Sequence, residues 1–166
     1  MTDRQFYGKY YFVLKEKQGL IYRSLLKMTK EHPGVIIYSR IKNAASMAEK
    51  LRSRNLPADA RSAILRVNDA LGFRIICSNV REVYDIADLI QGLDSFDIIR
   101  KKDYILFPKK NGYRSLHLIG QMPDGFTFEI QVRTKEHHLF AEIEHMLFYK
   151  NIMKNKIGNL TYYRYP

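Results

Sequence analysis

A chain of 166 residues with nearly half its residues apolar is long enough for one domain with a sizeable core, and its composition excludes a low-complexity or disordered polymer. Lys and Arg number 28 against 17 Asp and Glu, so the formal net charge of +11 favours anionic partners such as nucleotides, RNA or an acidic membrane surface. The single cysteine, Cys77, excludes an intrachain disulfide and fits a reducing compartment, no apolar run is long enough to cross a bilayer, and no leader-like segment opens the chain, so a cytoplasmic protein with no membrane partner is expected.

Residues 3–31 carry Phe6, Tyr10, Val13, Ile21, Leu25 and Met28 at a loose helical period, which predicts one or two helices with a break near Gly19. His32-Pro33-Gly34 ends them, and residues 35–39 form a short buried-strand candidate. Asn43 is a natural N-cap for a helix over residues 43–54, stopped by Asn55-Leu56-Pro57. Ser46 and Lys50, four apart, share a face of it. Residues 58–67 are a short connector. Residues 71–78 read as a strand with Asp69 at its entrance.

Asn79 with Glu82 makes a capping-box-like start for the next helix. Val80, Val83, Tyr84, Ala87 and Ile90 form its apolar stripe, and Gly92 ends it. Residues 96–99 and 103–107 are separate strand candidates. Residues 135–150 predict a helix with Phe140, Ile143 and Leu147 as one stripe. The basic, aromatic run Tyr162-Tyr163-Arg164-Tyr165 follows.

The most informative stretch is residues 101–133. Phe126, Phe128, Ile130 and Val132 alternate with Thr127, Glu129, Gln131 and Arg133, so one strand face can pack on a core while the other carries polar groups. Residues 113–119 alternate too, with Tyr113, Ser115 and His117 on one face. Pro123-Asp124-Gly125 is a turn signal, and the two strands are expected to pair as a hairpin. That pairing brings an aromatic ring, an imidazole and a carboxylate to one surface. The element order predicts a mixed sheet with helices around it, in the α+β or α/β class. A single domain over residues 1–166 is expected.

Asp69 and Glu129 among so many cations suggest a Mg²⁺ site for polyphosphate, because Mg²⁺ takes few protein oxygens and shares the phosphates of its substrate. The plain alternative is two carboxylates in ordinary ion pairs. Arg40, Lys42, Lys50 and Arg74 are candidate phosphate ligands, each with the alternative of a solvated surface cation. Tyr113 can stack on a base, or sit half-buried in a core. His117 can be a structural histidine, and His137, His138 and His145 lack the rest of a zinc set.

The order of Ser39-Arg40-Ile41-Lys42 with Ser46 and Lys50, Asp69 through Arg74, Lys102 through Ile105, Asn111-Gly112-Tyr113-Arg114-Ser115-Leu116-His117-Leu118, Glu129 through Thr134, and Glu144-His145 through Tyr149-Lys150 resembles the synthetase domain of the RelA/SpoT family, especially its small alarmone synthetases. The motif-bearing core spans about residues 35–150. The resemblance implies an α+β fold with a nucleotidyltransferase-like mixed β-sheet flanked by helices. It implies transfer of pyrophosphate from ATP to the 3′-hydroxyl of GDP or GTP, with Mg²⁺ as cofactor. On this chain it makes Asp69 and Glu129 the catalytic and metal-binding carboxylates. Arg40, Lys42, Ser46, Lys50 and Arg74 fall on the ATP side, and Lys109, Asn111, Tyr113, His117 and Gln131 on the GDP or GTP side.

Where family members carry Ser-Pro after Arg-x-Lys, this chain has Asn43-Ala44. No His-Asp dipeptide occurs, so alarmone hydrolysis is not expected. RNA or tRNA and a second copy of the chain are further candidate partners. Two other functions fit the residues: a toxin-like relative that pyrophosphorylates the 3′ end of tRNA, and a catalytically inactive RNA- or nucleotide-binding module. Retention of both Asp69 and Glu129 argues against the inactive module.

Overall fold

The computed structural model describes residues 1–158, with side chains through residue 147. The basic, aromatic run Tyr162–Tyr165 lies outside the described residues. The chain begins with α1 (Asp3–Tyr7) and α2 (Tyr10–Met28), then β1 (Ile36–Ile41), α3 (Ala44–Ser53), α4 (Ala60–Leu65), β2 (Leu71–Cys77) and α5 (Val80–Gln91). It continues through β3 (Asp97–Asp103), β4 (Leu116–Gln121), β5 (Thr127–Thr134) and α6 (Lys135–Gly158). Among the described residues, no helix is long and apolar enough to cross a membrane.

Capping fixes the helix starts. Asn43, Asp59 and Asn79 each accept a hydrogen bond from the backbone N–H three residues on, opening α3, α4 and α5. Glu82 accepts from the Ser78 N–H at 2.6 Å, closing the predicted box one residue earlier than Asn79. The break in the N-terminal region falls at Gly8, not at Gly19. Gly8 takes φ +53°, a left-handed turn that a side chain would resist, whereas Gly19 lies inside α2. The buried face of α2 runs through Leu14, Ile21 and Leu25, while Val13 is exposed.

The strands form one sheet in the order β1-β2-β5-β4-β3. Only β2 and β5 run parallel, and β4 and β5 form the expected hairpin. Leu71, Phe73 and Ile75 pack with Leu118, Phe128, Ile130 and Val132 in one core with residues of α2 and α5. At Gly120 an added Cβ would lie 2.4 Å from Cζ of Phe128, so the ring occupies the space that glycine leaves.

Three further expectations are corrected. Residues 97–103 form one strand, β3, and residues 104–107 turn instead of forming a second. The Asp103 carboxylate accepts from the N–H groups of Ile105 and Leu106, at 3.0 and 2.9 Å, and holds that turn. The predicted strand over residues 113–119 starts its ladder at Leu116, because residues 113–115 still belong to the preceding loop. On α6, Phe140, Ile143 and Leu147 are exposed and form no buried stripe, although the Phe140 ring lies near Gly112.

Register carries the functional consequence. Side-by-side partners across the sheet place Tyr38, Arg74, Gln131, His117 and Lys102 in one row. A second row holds Arg40, Gly72, Glu129, Ile119 and Arg100. Paired residues on adjacent strands project to the same face, so both rows stand opposite the apolar core.

Candidate active site

The two rows become a site because the sheet's polar face is walled by α3 on one side and α6 on another. β1 delivers Arg40, and the turn after it delivers Lys42. The Lys42 N–H donates to the Ala70 carbonyl at 2.9 Å, tying this turn to the residue after Asp69. Lys42 Nζ then stands 3.1 Å from Asp69 Oδ2, and Lys50 Nζ from α3 stands 2.5 Å from the same oxygen. Asp69 Oδ1 is buried and, among the described residues, has no hydrogen-bond partner. Burial raises the Asp69 carboxyl, but Lys42 and Lys50 outweigh it and hold the group below the usual carboxylate range.

Glu129 is gripped on both oxygens. Oε1 lies 3.0 Å from His117 Nδ1, and Oε2 accepts from Gln131 Nε2 at 2.8 Å. Burial raises this carboxyl too, but the hydrogen bond and charge of His117, the Gln131 amide and the Lys50 charge bring it down to about 2. An ionised carboxylate only accepts, so Nδ1 of His117 carries the proton. Nε2 of His117 lies 2.9 Å from the Tyr113 hydroxyl. Burial raises the Tyr113 phenol, which keeps that hydroxyl protonated. Tyr113, His117, Glu129 and Gln131 are therefore one hydrogen-bonded chain.

Lys109 Nζ lies over the Tyr113 ring at 4.6 Å and over the Tyr104 ring at 4.9 Å. Asn111 accepts from the Tyr113 N–H at 3.2 Å and donates its side-chain amide to Glu144 on α6. Arg74 donates to Glu142 of the same helix at 2.8 Å. Ser46 gives its backbone N–H to Asn43 and lines a separate cavity of about 190 Å³ with Arg40 and Lys42.

Asp69 and Glu129, 60 positions apart in sequence, line the same cavity of about 220 Å³ with Lys50, Lys109 and His117. A neighbouring cleft of about 460 Å³ contains Arg40, Arg74, Tyr113, His117 and Gln131. Among the residues expected at the site, Ser46 lies at its rim and Asn111 is turned to α6; the others line these two cavities or, with Lys42, contact Asp69. Sequence reasoning missed Arg54 and Arg100 in the first cavity and Glu142 in the second, and gave no site role to Lys102, Tyr104 and Arg133, which stand in the segments that carry the family resemblance. For Arg100 and Lys102 the available signal was their spacing of two on β3. Arg133, only 1% exposed, donates to His138 at 2.8 Å, a contact that no local pattern announces.

No group of three or more metal-ligating side chains occurs among the described residues. The two carboxylates still fit a hard cation that draws its remaining ligands from phosphate and water, and the bare, buried Oδ1 of Asp69 is an oxygen suited to it.

Residues 39–154 match the region found in RelA / SpoT proteins, most of the chain. The chain belongs to the RelA/SpoT family. It is 36% identical over 119 residues to the GTP pyrophosphokinase YwaC of Bacillus subtilis (strain 168), covering 68% of this chain and 57% of that protein. It is 32% identical over 136 residues to the GTP pyrophosphokinase YjbM of the same organism, covering 77% of this chain and 63% of that protein. The chain thus spans about three-fifths of these two relatives. The crystal structure of small alarmone synthetase 1 from Bacillus subtilis bound to its product pppGpp superposes with a TM-score of 0.71 at 28% identity, over 89% of this chain and 80% of that one. The RelA/SpoT fold explains the mixed sheet: its helices flank a nucleotidyltransferase-like arrangement of strands, as the sequence resemblance implied.

Proposed function

We propose that this chain is a (p)ppGpp synthetase, a GTP pyrophosphokinase that transfers pyrophosphate from ATP to the 3′-hydroxyl of GDP or GTP. The observation that carries the reading is the Asp69 carboxylate, fixed through one oxygen by Lys42 and Lys50 and bare at the other, in one cavity with Glu129. The names of the two Bacillus relatives and the product bound to the superposed synthetase support it.

In this reading Arg40, Lys42, Ser46, Lys50 and Arg74 receive the ATP phosphates and base. Tyr113 stacks on guanine, with Lys109, Asn111, His117 and Gln131 around the acceptor. Asp69 and Glu129 would hold Mg²⁺, which when bound neutralises charge on the donor phosphates. The 3′-oxygen forms a bond to the β-phosphorus of ATP while the bond from that phosphorus to the α–β bridging oxygen breaks, releasing AMP. Positioning and charge supply most of the catalysis of such a transfer.

The Glu129 carboxyl is held well below the usual carboxylate range, so it is ionised. It therefore orients the 3′-hydroxyl by accepting its hydrogen bond, and takes the proton only as the new P–O bond forms and the hydroxyl becomes strongly acidic. His117, donating to the other side of the carboxylate, keeps it facing the acceptor. The substrates would be free nucleotides of the cytoplasm.

The test is incubation with γ-labelled ATP and Mg²⁺ plus GDP, GTP or tRNA in separate reactions. Label appearing on the guanine nucleotide, with release of AMP, is the expected result. Label on the 3′ end of tRNA alone would replace this reading with the tRNA-directed one, which the net charge of +11 favours.

A further inference from the structure

The turn that carries Lys42 is held from outside the region that matches the family. Residues 39–154 contain the match, and α1 precedes it. Tyr7 of α1 is completely buried, and its hydroxyl donates to the Lys42 carbonyl at 2.7 Å. Asp3, one helical turn earlier, accepts from the Ala44 N–H at 2.7 Å, at the first residue of α3. Gln18 of α2 donates to the Ser39 hydroxyl at 3.0 Å, one residue before Arg40. These bonds bracket the Ser39–Ala44 segment.

The Lys42 backbone is thereby fixed on both sides, by Ala70 at its N–H and by Tyr7 at its carbonyl. Its side chain reaches Asp69 Oδ2 at 3.1 Å. The same turn sets the start of α3, whose second turn presents Lys50 to the same oxygen. A small error in the turn would move both cations relative to the carboxylate, and positioning errors of this kind are costly in transfer reactions.

We propose that Tyr7, seconded by Asp3, is a positioning residue for the ATP half of the site, acting through the Lys42 backbone and not by touching substrate. The proposal rests on the synthetase reading in assigning Lys42 and Lys50 to ATP. Among the described residues, α1 makes no hydrogen bond to Tyr113, His117 or Gln131, whose side-chain bonds run to one another and to Glu129. A purely structural role for Tyr7 would lower stability without discriminating between the two nucleotides.

The test is Tyr7→Phe in the full chain, which removes one hydroxyl and keeps the ring in its pocket. KM is measured for ATP at saturating GDP and for GDP at saturating ATP, alongside the thermal unfolding midpoint. We expect KM for ATP to rise roughly threefold to tenfold, the range set by one net hydrogen bond, and KM for GDP to change by less than about twofold. Equal changes in both KM values, or a lower midpoint with neither KM moved, overturn the proposal. Should Tyr7→Phe fail to fold, Asp3→Ala on the partly exposed face of α1 is held to the same ATP-selective criterion. Titration with a non-hydrolysable ATP analogue separates this failure from failure of the synthetase reading. A wild type that transfers nothing to GDP or GTP, yet binds the analogue more tightly than Tyr7→Phe does, sinks the acceptor assignment and keeps the positioning role. Equal binding by the two proteins sinks the positioning role.

Discussion

His117 Nδ1 lies 3.0 Å from Glu129 Oε1, and the two residues are diagonal neighbours on adjacent strands of the β4–β5 hairpin. The contact joins the two expected halves of the chemistry: a carboxylate at the phosphate end, and an imidazole whose other nitrogen reaches Tyr113. It also fixes how Glu129 titrates.

Glu129 has a folded pKa of about 2, below its ordinary value of 4.5. A depressed carboxylate pKa stabilises the fold above the unfolded value, and this contribution is lost as pH falls through the folded one. The stability advantage of wild type over Glu129→Gln is therefore expected to be full above about pH 5 and to shrink between about pH 4.5 and 2, by at most about 3 kcal/mol. Urea unfolding of both proteins across that range measures it. An advantage that grows as pH falls would contradict the assigned direction.

Removing the imidazole should release the carboxylate. In His117→Ala the Glu129 pKa is expected to rise, because burial, the largest influence on it, acts upward and loses its main opponent. Carboxyl NMR titration of selectively labelled protein reads this directly, and an unchanged Glu129 value would show that Gln131 and Lys50 suffice.

Tyr113 has two separable roles. Tyr113→Ala should weaken GDP roughly tenfold to hundredfold while leaving ATP-analogue binding nearly unchanged, since base stacking contributes about 1–3 kcal/mol. Tyr113→Phe keeps the ring but removes the hydroxyl that lies 2.9 Å from His117 Nε2. It should bind GDP almost normally and turn over more slowly. Calorimetric titration of GDP and an ATP analogue into each variant, with steady-state kcat, checks both statements.

Gly120→Ala probes the core beneath the site. The new methyl would meet the Phe128 ring, which is itself packed edge-on against Phe73 and Phe96. A loss of about 1–3 kcal/mol in unfolding free energy is expected from such overpacking, measured by denaturant titration.

Much of this architecture could be read from local pattern. The period-two alternation of residues 126–133 gave β5 and its polar face, Asn43 and Asn79 marked helix starts, and Pro123-Asp124-Gly125 marked the hairpin. What local pattern lacked was register. Asp69 and Glu129 lie in one cavity because β2 runs parallel to β5 with Gly72 beside Glu129, a pairing between segments far apart in the chain. β3 was divided in two because its interior, Arg100-Lys101-Lys102, is charged, as suits an exposed edge strand, and so lacks an apolar signal. The exposed stripe of α6 misled in the opposite way. Phe140, Ile143 and Leu147 have the spacing of a core face, yet Glu142 makes that helix's contact with Arg74. Tyr7 carried no motif, and only the fold brings it to Lys42.

The central claim is that Asp69 and Glu129 together perform pyrophosphate transfer. The most direct measurement is transfer of γ-label from ATP to GDP by wild type, Asp69→Asn and Glu129→Gln at saturating Mg²⁺, with circular dichroism confirming that each variant is folded. The account predicts label on GDP with wild type and loss of transfer to background in both variants. Near-normal turnover in either folded variant would contradict it.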